Sequence, residues 1–209
     1  MRRPAWGVID LDTDAGQVLV REDWKYNWAV EPGAAAWTLA ERRRFHGTAD
    51  RHVWGAWSGQ LRLNTSGGHE LCRRLPQVSV NFDIRWVLSG GQWTVNVVKL
   101  RAGSASPRSY VQFATRTIQL DTLDVDPHGV QNDAGVTRNR FFTIPHEFGH
   151  TLPAGSGSRS PVDDEYGTSS AHVGDADSIM NIGRQVRSRH VTAVIDELDA
   201  MLPGCSFSA

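Results

Sequence analysis

Between Val78 and Leu88 the chain alternates strictly. Val78, Val80, Phe82, Ile84, Trp86 and Leu88 fall on one parity, and Ser79, Asn81, Asp83, Arg85 and Val87 on the other. A period of two cannot line one face of a helix, where side chains return to a face only after three or four residues. The stretch is predicted as a strand with one apolar face, and the fold must supply a layer to cover it. Ser89-Gly90-Gly91-Gln92 then turns the chain, and Trp93–Leu100 is expected to return as the second strand of a hairpin. Gly7–Leu11 and Gln17–Arg21 are two shorter strand-like pieces around Thr13-Asp14-Ala15-Gly16, and Tyr110–Leu120 is a further strand. Asp10, Asp12 and Asp14 alternate there like the opening of a calcium loop. Gly16 comes one place late and Arg21 stands where the closing acid belongs, so the segment reads as an acidic turn.

Helical signals frame these strands. Thr38-Leu39-Ala40-Glu41 has capping-box spacing, and Phe45, Ala49, Val53 and Trp57 then recur every fourth residue, with Trp54 widening the stripe. His46 and His52 are six apart, so a helix does not set them side by side, and they read as boundary histidines. A short helix is expected over Ile144–Leu152, with Pro145 in its first turn and Pro153 ending it. A last helix starts at Ser188 as cap, buries Val191, Val194, Ile195, Leu198 and Met201, and stops at Pro203-Gly204. The order predicts an α+β fold: a mostly antiparallel twisted sheet, a backing helix, a site-bearing helix and a C-terminal helix. One domain over 1–209 is expected, with a helix-and-sheet part over about 1–138 and a site-bearing part over about 139–209.

Charge excludes some functions. Lys+Arg 22 against Asp+Glu 23 leaves net charge -1, so no global field recruits nucleic acid or an anionic membrane. No apolar run approaches the ~18 residues of a membrane span. The basic start is followed by Val8-Ile9-Asp10-Leu11-Asp12 rather than an apolar signal-peptide stretch, which predicts a soluble protein, cytoplasmic as synthesised. Export by a non-classical or contractile system stays open. Cys72 and Cys205 are the only cysteines, which excludes a disulfide scaffold and a Cys-ligated zinc ribbon. They form either one long-range bridge or two thiols, and the missing signal peptide favours thiols unless the chain is exported.

Chemistry concentrates in His146-Glu147-Phe148-Gly149-His150. On a helix His146 and His150 lie one turn apart on one face, so both imidazoles can reach a single Zn²⁺. Glu147 is then placed to take a proton from water at the metal's open position and to return it to the leaving amine. A catalytic zinc normally takes three protein ligands. The extended pattern with a further Gly and His is absent, with Pro153 and Ser156 in those places. Downstream, Pro161-Val162-Asp163-Asp164-Glu165-Tyr166-Gly167 offers Asp163, Asp164 or Glu165 as the oxygen ligand, and His172 is an imidazole in reserve. Asp177-Ser178-Ile179-Met180-Asn181 places a Met in a turn before the last helix.

His146–His150, Asp164-Glu165-Tyr166 and Ser178-Ile179-Met180-Asn181 together resemble a bacterial zincin metallopeptidase of metzincin type, over roughly the last third of the chain. The resemblance implies one zinc per chain on His146, His150 and Asp164, with Glu147 catalytic and Met180 in a methionine turn beneath the metal. Asp163 is the alternative ligand, since Asp163 with Tyr166-Gly167 behind it resembles the aspartate-ligand zincins, which lack the methionine turn. Ala154–Pro161 departs from the pattern as an insertion between helix and ligand. Tyr166 and His190 are the residues that could contact the transition state or substrate. The implied function is a zinc endopeptidase acting on a protein or peptide, with substrate lying along the edge strand Tyr110–Leu120. The alternative is a non-catalytic, zinc-stabilised binding module, such as a component of a phage-like or injection apparatus, in which Glu147 has no use. A zinc amidase acting on cell-wall peptide ranks below both.

Overall fold

The longest strand, β2 (Gln17–Val30), is the axis of the sheet. In the computed structural model, which describes residues 1–155 and 157–209, the chain opens with β1 (Val8–Asp12) and turns back into β2. Asp12 closes that acidic turn, its Oδ1 accepting from the backbone N–H groups of Asp14 and Ala15 at 2.9 Å each. Helix α1 (Leu39–Trp57) follows, with the expected Thr38–Glu41 capping box. Its stripe of Phe45, Ala49, Val53 and Trp57 is buried, whereas Trp54 is 48% exposed and does not widen it. His46 and His52 sit at the boundary, His46 Nδ1 lying 3.1 Å from the Tyr26 hydroxyl.

Then come β3 (Arg62–Gly67), the short helix α2 (Glu70–Arg74), β4 (Gln77–Val87) and β5 (Trp93–Lys99). The alternation is realised in β4, where Val78, Val80, Phe82 and Ile84 are buried. The expected hairpin is not formed. β4 and β5 both pair with β2, on opposite edges and parallel to it, so that Trp24 lies opposite Trp86 on one side and Trp93 on the other. The turn Ser89–Gln92 carries the chain across β2: Gln92 N–H donates to Asp23 O at 3.0 Å. Gly91 has φ +96°, and a Cβ there would lie 2.8 Å from Asp23 O, so the crossing demands glycine.

Tyr110–Leu120 is two strands rather than one. β6 (Tyr110–Gln112) and β7 (Thr117–Asp121) are joined by a 3-10 turn at Phe113–Thr115 and by Arg116 in left-handed conformation (φ 52°). A separate ribbon, β8 (His128–Gln131) and β9 (Thr137–Phe141), precedes α3 (Thr143–Gly149). The chain ends in α4 (Thr192–Met201) and β10 (Cys205–Ser208). Ser188 opens a 3-10 turn before α4 instead of capping it. The eight-stranded sheet runs β10-β3-β4-β2-β5-β7-β6, with β1 beside the first half of β2. Its β4–β2, β2–β5 and β5–β7 pairings are parallel, so the fold is α+β with a mixed sheet rather than a mostly antiparallel one. A Cys72–Cys205 disulfide ties α2 to β10. Among the described residues no helix is long and apolar enough to cross a membrane.

Candidate metal centre and its cleft

Helix α3 is short and wholly buried, so packing rather than helix propensity must hold it. Pro145 sits in its first turn, where a missing N–H breaks no helical hydrogen bond. Trp57 of α1 fixes that turn: its Nε1 donates to Pro145 O at 2.8 Å, and its ring lies 5.4 Å from the rings of both Phe82 and Phe148. Beneath the helix lies Met180, fully buried. A Cβ on Gly149 would come within 2.1 Å of Met180 Sδ, so the helix rests on the methionine only because residue 149 has no side chain.

His146 lies within α3, and His150 follows its last residue with helical backbone (φ −71°, ψ −7°). His146 Nδ1 is 2.9 Å from Ile179 O, and His150 Nδ1 is 2.7 Å from Val162 O. A carbonyl oxygen only accepts, so in the neutral rings each Nδ1 carries the proton and each Nε2 keeps its lone pair. The two Nε2 atoms are 3.3 Å apart, and Asp164 Oδ1 stands 3.1 Å from the first and 3.0 Å from the second. Among the described residues this is the only cluster of three or more such side chains arranged as a cation would need.

Asp164 comes from the loop after Pro161, and its neighbours decide its orientation. Glu165 is buried against α4's approach: Arg189 donates to it through two nitrogens at 2.6 and 2.7 Å, and His190 Nε2 lies 3.1 Å away. Glu165 N–H donates to Met180 O at 2.8 Å, stitching the loop to the methionine turn. Adjacent side chains of an extended segment point to opposite sides, so anchoring Glu165 inward turns Asp164 toward the histidines. The Tyr166 hydroxyl donates to Asp164 Oδ2 at 2.7 Å and leaves Oδ1 to face them. Burial alone would raise the Asp164 carboxyl, but the two imidazoles and the Tyr166 hydroxyl outweigh it and hold it below the ordinary carboxylate range. Burial and the same contact push the Tyr166 phenol up to about 12.

Glu147 stands beside the cluster. It is 8% exposed, and its Oε2 finds no hydrogen-bond partner among the described residues. Burial pushes its carboxyl above the ordinary range, against the pull of His146 and His150. All four side chains open on a cavity of about 850 Å³. Phe141, its ring 5.2 Å from that of His146, and the exposed Tyr110 and Leu123 give it apolar wall. A strap over residues 106–109 lines the cavity, tied down by Ser106 to Asp121 and by Ser109 to Asp124. It holds Arg108 so that Nη2 donates to the Tyr166 hydroxyl at 3.0 Å and lies 3.8 Å from Asp164 Oδ2.

Several expectations are corrected by these positions. His190 is fully buried, and its Nδ1 accepts from Arg187 N–H, so it cannot touch a substrate. Its role is to help anchor Glu165. Asp163 is exposed on the cavity rim with Oδ1 accepting from Asp164 N–H, outside the three-atom cluster. His172 is exposed in a turn and does not line the cavity. Edge strand β6 does border the cleft, through Tyr110 and Val111, but the strand preceding α3 is β9. Ser156, which stands where the extended motif has its further His, lies outside the described residues. Arg108, Phe141 and the carbonyls of Ile179 and Val162 carry no local sequence signal, since each reaches the site through long-range packing. No family model, curated protein or solved structure matches the chain.

Proposed function

We propose that the chain is a zinc-dependent endopeptidase whose centre is His146, His150 and Asp164, with Glu147 as general base. One observation carries the reading: two imidazole Nε2 atoms and a carboxylate oxygen converge within 3.0 to 3.3 Å, both histidines having their Nδ1 engaged by backbone carbonyls. With both rings neutral, that arrangement leaves three unprotonated donor atoms facing one another, which a cation would satisfy. Two imidazoles and one carboxylate are a donor set that suits zinc with a position left open. Bound there, zinc supplies Lewis acidity, polarising a peptide carbonyl and acidifying water.

The chain's own residues account for the remaining work. Glu147, whose Oε2 has no hydrogen-bond partner among the described residues and whose carboxyl is raised by burial, is fitted to accept a proton from water in the cleft and deliver it to the departing amine nitrogen. Arg108 lines the cleft beside Asp164 as a cationic donor suited to a developing oxyanion, whereas the single Tyr166 proton is given to Asp164 Oδ2 and orients that carboxylate. The open edge of β6 can hold an extended peptide by main-chain hydrogen bonds. A zinc-stabilised module without catalysis would want a fourth protein ligand and would have no use for an unpartnered acid at 147.

The test is Glu147→Gln. It should retain one zinc per chain and the wild-type melting temperature, while peptide hydrolysis drops by about 10²–10⁴-fold. His146→Ala and His150→Ala should lose zinc, and Asp164→Ala should lose more than Asp163→Ala. Full zinc occupancy in both histidine variants, or equal turnover by wild type and Glu147→Gln, would end this reading.

A further inference from the structure

Next to the metal cleft lies a second cavity of about 340 Å³ with a different character. The two adjoin at Ile182, which lines both. Strand β9 serves both as well, presenting Phe141 to the cleft and Arg138 and Arg140 to the second cavity. Arg184 is the third guanidinium there, against one carboxylate, Asp177. That carboxylate is already used, accepting from Arg138 Nη2 at 2.7 Å. Arg140 makes no ion pair or side-chain hydrogen bond among the described residues. Arg184 Cζ lies 5.4 Å from the Phe142 ring centroid, and this exposed side chain makes no ion pair or side-chain hydrogen bond among the described residues.

The wall behind these arginines is fixed before any ligand arrives. Arg184 and Gln185 both donate their backbone N–H to Asp177 O, at 2.9 and 2.8 Å, and Gly183 donates to Ser178 O at 2.9 Å. A Cβ on Gly183 would lie 2.1 Å from the Asp177 carbonyl, so this turn cannot loosen to make room for a side chain. It is the turn that also carries Met180 beneath α3, so the arginine pocket and the metal centre are held in one rigid piece. The cleft's own side chains are acidic instead: Asp124, Asp126, Asp163, Asp164 and Glu147 line it with Arg108 as the only guanidinium.

We infer that this pocket is a subsite for acidic side chains, and that the substrate is an extended peptide with Asp or Glu residues a short distance to one side of the bond to be cut. The inference rests on the peptidase reading of the cleft. Guanidinium groups that are unpaired, rigidly backed and contiguous with a reaction centre give selectivity by charge complementarity, and a basic segment placed there meets like charge. Arg140 and Arg184 are specificity-determining residues that take no part in the chemistry.

Binding, rather than cleavage, separates a failure here from a failure of the peptidase reading. The full chain carrying Glu147→Gln, zinc-loaded, is titrated against fluorescein-labelled peptides of equal length that are acidic, neutral or basic, and against a single-stranded oligonucleotide of the same charge as the acidic peptide. The acidic peptide should bind tightest, and its affinity should fall with salt. Arg140→Glu with Arg184→Glu should weaken it by about tenfold or more while leaving the neutral peptide unchanged. Both residues are exposed, so the variant should keep its melting curve, and Arg140→Ala alone should give a smaller loss of the same kind. Equal affinity for acidic and neutral peptides, no loss on charge reversal, or tighter binding of the oligonucleotide would each overturn the inference.

Discussion

Replacing Glu22 by glutamine should leave the protein's stability nearly unchanged in acid and raise it in base. Glu22 lies on β2 and is completely buried. Its Oε2 accepts from Trp24 Nε1 at 2.8 Å, and its Oε1 lies 2.6 Å from the Thr151 hydroxyl, directly after His150. That hydroxyl has a single proton and also sits 2.5 Å from Phe148 O, which can only accept. If the proton goes to Phe148 O, Glu22 must be the donor to Thr151, and a carboxyl donates only when neutral. Burial agrees, pushing Glu22 from 4.5 to about 8, with the two hydrogen bonds opposing. Below pH 4.5 folded and unfolded chains are both protonated at this site and no stability is lost. Between 4.5 and about 8 the folded chain keeps a proton the unfolded chain has released, so stability falls as pH rises. At about 1.4 kcal/mol per unit the loss across the window is on the order of 5 kcal/mol. Glutamine can accept from Trp24 and donate to Thr151 without ever ionising. Urea unfolding followed by tryptophan fluorescence, with chelator present for both chains so that metal linkage cancels, should show a gap that opens from near zero at pH 5 to several kcal/mol at pH 9. Asp83 and Asp124, both pushed up to about 6 by burial, titrate alike in the two chains and cancel in the difference. A gap independent of pH, or a glutamine variant less stable at pH 9, would refute the neutral-carboxyl argument.

Three further outcomes follow from contacts around the site. Trp57→Ala should cost about 3–5 kcal/mol in unfolding free energy, and Trp57→Phe about 1–3 kcal/mol because Pro145 O loses its donor; a change within about 0.5 kcal/mol for either would contradict the clamp. Gly149→Ala should lose about 1–3 kcal/mol from the clash with Met180, and Gly149→Ala with Met180→Ala should lose less than the two single changes added together, as a double-mutant cycle reads directly. Reducing the Cys72–Cys205 bridge, which spans 133 residues, should lower stability by about 4–5 kcal/mol in the loop-entropy view, and an unchanged urea midpoint in reductant would reject it.

The features legible in the chain's own order are those with a local periodic cause. The alternation of β4 and the four-residue stripe of α1 announce which side chains are buried, and the His146–His150 spacing follows from helical geometry. The Asp164 carboxylate was among the acids the loop offered, but nothing local ranks it above Asp163 or Glu165. That ranking is decided by Arg189 and His190, which reach back 24 and 25 residues to anchor Glu165.

Sheet order was legible least. Alternation states which face of a strand is buried and says nothing about which strand lies beside it. A short glycine turn between two apolar runs normally joins hairpin partners. Here β2 occupies the space between β4 and β5, because its 14 residues are long enough to pair with β4 along Gln17–Lys25 and with β5 along Trp24–Val30. The strap bearing Arg108, the arginine pocket beside Ile182 and the burial that neutralises Glu22 belong to the same class. Each depends on groups brought together from distant parts of the chain, and their energies exist only once the core has closed around them. Residue spacing encodes the faces of the elements and the two histidines; tertiary packing chooses the neighbours, the third donor and the charges that surround them.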